Sequence, residues 1–189
     1  MAYVRDPTAA ADKKHKCVGR LSVNMQPVKP DPKQLEWWHS TAQLAAIYAS
    51  FAVDAKPPGE AMEEIREWLL KARTAGNPDG CPPYANVYMV AMPTIFDGSL
   101  LYAYWMRFIP PPSDGKGSAR GTGMYAMIDV RSYGAGRLGC SYAEANKTRA
   151  LAPYMPADKP HTHTGVDDAE EQLLLLFNLM DMSPVITGE

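Results

Sequence analysis

Proline and glycine interrupt this chain too often for it to be a pure helical bundle with tight loops. Seventeen Pro and 14 Gly in 189 residues require long irregular connections. The stretches between them are apolar enough, at 46% hydrophobic residues overall, to build one core, so a single domain with extensions is expected. Leu35, Trp38, Leu44, Ile47 and Phe51 recur at near-helical spacing among alanines, which predicts a helix over 34–52. Pro57, Pro58 and Gly59 break it. Met62, Ile65, Trp68 and Leu69 then form a second apolar stripe, with Glu60, Glu63 and Glu64 early and Lys71 and Arg73 late, as the helix dipole favours. Gly76 closes this helix and completes a helical hairpin.

Beyond the hairpin the pattern is less decisive. Residues 84–109 read equally as buried strands or a buried helix, and 124–133 as a strand or a short helix. Residues 110–123 read as a flexible Pro- and Gly-rich loop, Tyr142 to Leu151 as a helix ended by Pro153, and Asp167 to Met180 as an amphipathic helix with an acidic first turn. The expected fold is mainly α: a helical core with extended N- and C-terminal arms and some irregular or short β segments.

A net charge of −2 conceals a strong sorting of charge along the chain. Residues 1–34 hold seven Lys and Arg against three acids, residues 157–189 hold one Lys against seven acids, and 35–156 hold eleven of each sign. The expected organisation is a basic flexible arm at 1–34, a core domain at 35–156 and an acidic extension at 157–189. Such ends suit binding to a polyanion or to another copy of the chain. Cys17, Cys81 and Cys140 are too few and too scattered for a disulfide framework, so free thiols and a reducing compartment are expected. No apolar run approaches the ~20 residues that span a bilayer, and no signal-peptide pattern opens the chain, so a soluble protein without a membrane partner is expected.

Catalytic chemistry finds little support. A nucleophile needs a positioned base, and Cys81 and Ser141, the two suggestive contexts, have only His39 within the core segment. The glycine-rich stretch 115–123 lacks the spacing of a phosphate-binding loop. His161 and His163 would face one side of an extended segment and could take zinc with Cys140 or Asp167, but no second ligand pair stands at metal-site spacing. No enzyme activity, cofactor or metal is expected. What remains is a set of basic residues with aromatic neighbours: Arg107 between Trp105 and Phe108, Arg120 with Tyr125, and Arg131 with Tyr133. Arginines contact phosphates and flat rings stack on bases; alternatively these rings are core and the arginines its rim. Asp129, alone in an apolar stretch, is either an orienting partner for an Arg or a turn residue.

Several segments, taken in order, resemble the coat proteins of flexuous filamentous plant viruses, potyviruses in particular. They are Trp38, Tyr48, Met62, Ile65 and Trp68 leading to the turn Gly76 to Gly80; Ala91-Met92-Pro93-Thr94; Tyr125-Ala126-Met127-Ile128-Asp129; and His163-Thr164-Gly165-Val166-Asp167 with the later Leu173-Leu174. In that family the Pro-Thr element runs into an Arg-bearing helix, whereas Ile95-Phe96-Asp97-Gly98 follows here, leaving Arg107 as the candidate counterpart. The resemblance implies a capsid subunit, found in the virion and the host cytoplasm, whose arms pack on adjacent copies while the core winds around single-stranded RNA. It implies Arg107 and Asp129 as the RNA site, with Arg120 and Arg131 as phosphate contacts. The alternative is a small viral or phage accessory protein, not an enzyme, that binds and inhibits a host protein through the acidic tail.

Overall fold

The structure, a computed structural model, describes residues 2–5, 15–25, 31–75, 87–110, 124–157 and 162–182. The protein is mainly helical, as expected. In chain order the elements are β1 (Ala2–Arg5), β2 (His15–Gly19), α1 (Pro32–Trp38), α2 (Ala42–Phe51), α3 (Pro58–Ala75), β3 (Val87–Ala91), α4 (Thr94–Phe108), β4 (Met124–Asp129), α5 (Val130–Leu138), a 3-10 turn at Ala152–Tyr154 and α6 (Gly165–Asp181).

The helix expected over 34–52 is two helices. Asp31 caps α1 by accepting from the Lys33 N–H at 2.9 Å, with Pro32 opening the helix. Thr41 then adopts an extended conformation, and its Oγ1 accepts from the Leu44 N–H at 3.2 Å. A side-chain oxygen that satisfies an orphan N–H starts a new helix, which splits the apolar period at His39–Thr41. The rings of Trp38, Tyr48 and Phe51 hold α1 against α2, with Trp38 edge-on to Phe51 at 5.3 Å between centroids. Neither helix contains a buried residue.

Both ambiguous segments resolve into a strand followed by a helix. β3 and β4 pair in parallel, from Val87 opposite Met124 to Ala91 opposite Asp129, and α4 makes the connection between them. This two-stranded sheet divides the core. On one side Met89 packs with Met62, Trp105 and Ile109 between α3 and α4. On the other, Val90 and Ile128 pack against Val130, Leu151, Leu175, Leu176 and Leu179 between α5 and α6. Each fully buried side chain of this size contributes roughly 1.5–3 kcal/mol, so the two clusters hold the helices on the sheet.

A second expectation needs correction. Tyr142 to Leu151 is a series of turns rather than a helix, because local side chains take the backbone's partners. The Glu144 carboxylate accepts from the Ser141 N–H at 3.0 Å and Asn146 Oδ1 accepts from the Thr148 N–H at 3.0 Å. Within the acidic segment, α6 places Leu175, Leu176, Phe177 and Leu179 in the interior, and four of its five acids lie in its first two turns. The basic segment makes contacts of its own. β1 and β2 pair antiparallel, the backbone at Gly19 lies so close to Trp68 that an added Cβ would sit 3.2 Å from its indole nitrogen, and Arg20 reaches Glu170 on α6 at 2.6 Å.

Candidate nucleic-acid interface

The register of β3 and β4 sets their C-terminal ends level, so α4 and α5 begin side by side with Asp129 between them. Its Oδ1 accepts from the Ser132 N–H at 2.7 Å and its Oδ2 from the Thr94 N–H at 2.9 Å, with the Thr94 hydroxyl at 3.4 Å. One carboxylate therefore caps two helices. Burial pushes its pKa up, but the hydrogen bonds from Thr94 and Ser132 outweigh this, and the net shift is below the ordinary aspartate value. Among the described residues no Arg or Lys forms an ion pair with Asp129.

Arg107 does not meet Asp129. It lies in the last turn of α4, thirteen residues from Thr94 and thus about 20 Å along the helix axis. Its guanidinium carbon sits 5.4 Å from the centroid of the Phe108 ring, and the side chain is exposed. Trp105, by contrast, is core, with its indole N–H buried and without a hydrogen-bond acceptor among the described residues. Arg131 at the start of α5 donates to the Tyr142 carbonyl at 2.8 Å and the Ala143 carbonyl at 3.2 Å, and stacks on the Tyr142 ring at 4.3 Å. It holds the 140–151 segment and keeps only part of its donor set for an outside phosphate. Arg120 lies outside the described residues, as do Cys81 and His161. His163 packs edge-on against Trp37 at 5.8 Å.

Other cations are committed inside the fold. Arg137 donates to the carbonyls of Leu179, at 3.2 Å, and Met182 at the C-terminal end of α6. Lys147 pairs with the buried Glu171, Lys56 with Glu64, and Arg66 with Glu63. An open groove of about 630 Å³ at the start of α6 is lined by Asn24, Phe51, Lys56, Glu64 and Thr164. There Asn24 donates to the Ser50 and Val53 carbonyls and Lys56 is paired with Glu64.

Thr94 and Arg137 were invisible as functional partners in the sequence. Only the strand register sets Thr94 beside Asp129, thirty-five residues away. The apolar outward face of α4 was also missed. Ile95, Phe96 and Leu100 are 71%, 65% and 61% exposed, although a run so apolar reads as buried on every side. No family model, no curated protein and no solved structure matches the chain. No helix is long and apolar enough to cross a membrane among the described residues.

Proposed function

We propose that the chain is a coat subunit that polymerises into a helical filament around single-stranded RNA. The observation that carries this reading is α2: ten residues without a charge, strongly apolar, and without one buried residue. Such a helix is stable in water when another surface covers it. The outward face of α4 makes the same demand, and a subunit with two different uncovered surfaces associates head to tail. The ordered resemblance to flexuous coat proteins supplies the RNA. Arg107, exposed beside Phe108, is the phosphate contact this reading favours, with the free donors of Arg131 second and Arg120 as the third candidate.

Negative-stain images of the purified protein with and without single-stranded RNA test the proposal, together with RNA retention across a salt series. Rod-like or flexuous particles are expected, with retention that weakens as salt rises; Arg107→Ala should reduce the magnitude of the log–log salt slope by about 0.7. Monodisperse monomers that ignore RNA at low salt would remove the reading.

A further inference from the structure

α2 and α4 leave apolar surface uncovered by the described residues, and the two surfaces differ in a complementary way. On α4, Ile95, Ser99, Tyr102 and Met106 form one exposed row, flanked by Phe96 and Leu100, while Gly98 and Trp105 face inward. On α2 the exposed row is Ala42, Ala46 and Ala49, continued by Val53 just past the helix end. Both rows follow the same i, i+4, i+7, i+11 spacing. One carries large projecting side chains; the other is nearly flat. Small residues let a second helix approach closely, and ridges of one helix then seat on the other.

Resting on the filament reading, we propose that α4 of one copy packs in parallel on α2 of the next copy, with Ile95 opposite Ala42, Ser99 opposite Ala46 and Tyr102 opposite Ala49. Charge fixes the direction. The only charges in α4 are Asp97 and Arg107. Asp97 stands near Asp168, and burial together with that second carboxylate raises its pKa. Parallel packing carries Arg107, in the last turn of α4, toward the C-terminal end of α2, where Asp54 stands three residues past Phe51; an ion pair there uses part of the five N–H donors of Arg107 and leaves the rest for phosphate. Asp54 is exposed at the end of α2, where the helix dipole also favours a cation. The antiparallel arrangement would bring Arg107 to the positive end of α2. Pairing α4 with α4 would set bulky rows against each other and leave α2 uncovered. Because the two faces differ, the contact is head to tail and can repeat from copy to copy, giving a filament where the rotation between copies does not close a ring.

Cysteine cross-linking of the full chain tests this, with Cys17, Cys81 and Cys140 changed to Ser. Ser99→Cys and Ala46→Cys are small changes at exposed positions. Oxidising an equal mixture of the two single variants should give a covalent dimer that neither variant gives alone, and a chain carrying both should give a ladder of oligomers. Arg107→Glu should lower the cross-linking yield about two- to five-fold, the range of an exposed ion pair, and Asp54→Arg added to it should restore the yield. Efficient cross-linking of Ser99→Cys alone would overturn the proposal in favour of α4 on α4. Filaments in micrographs without a cross-link in the mixture would overturn this contact while leaving the coat reading intact. Cross-links without RNA-dependent filaments would do the reverse.

Discussion

Asp129 shows how a single side chain can carry two jobs that look like one in the sequence. Replacing it with Asn keeps an acceptor for the Ser132 N–H but cannot also accept from the Thr94 N–H, so α5 retains its cap and α4 loses its own. D129N should lower stability by about 1 kcal/mol at neutral pH, measured by urea denaturation, and D129A by about 2. The pH dependence follows from the depressed pKa. The folded state holds the carboxylate more strongly than the unfolded chain does, so this stability is fully present above the unfolded value of about 3.9 and is lost as pH falls through the lower folded value. D129N should therefore show a shallower acid limb than the native chain below pH about 4. A wild-type-like limb would place the proton elsewhere. The sequence left two readings open for this residue, a partner for Arg or a turn residue, and the structure places it at a strand–helix turn with Thr94 as its distant partner. Only the pairing of β3 with β4 brings that threonine, 35 residues away, near.

At the scale of elements, legibility followed how locally each one is determined. α3 was readable because its apolar stripe, acidic first turn and basic end all lie within one segment. β3 and α4 were not separable by period, since the strand is buried in a partition between two layers and the helix is apolar even where it meets solvent. The 142–151 turns failed as a helix for the reason that Ser141, Glu144 and Asn146 bind their own backbone. α5 offers an internal comparison. A Cβ on Gly134 would lie 2.6 Å from Leu151 Cδ2, and Leu151 is fully buried, whereas a Cβ on Gly136 meets nothing within 4 Å. Gly136→Ala should stabilise by up to about 1 kcal/mol through helix propensity, and Gly134→Ala should destabilise by roughly 1–3 kcal/mol. Thermal melts of the two variants should move in opposite directions.

For the whole molecule, charge sorting was visible at once, but its meaning was not. The sequence suggests arms that couple neighbouring copies, yet Arg20 of the basic end pairs with Glu170 of the acidic end within one chain, and Lys147 meets Glu171 beside it. Both glutamates are nearly buried while Arg20 is half exposed. Removing Arg20 as Arg20→Ala should cost about 1–2 kcal/mol, less than a fully buried pair and more than a surface one. Leu179→Ala, at the centre of the α5–α6 cluster, should cost about 2–5 kcal/mol in the same denaturation assay. The contribution of α6 to that cluster also bears on how the protein is made. During synthesis α6 is the last described element to emerge, yet it supplies Leu175, Leu176 and Leu179, the cover for β3 and the counter-charge for Arg20. A nascent chain that has already produced α2 and α4 thus has no finished core behind them, and its interior is completed only once α6 has emerged.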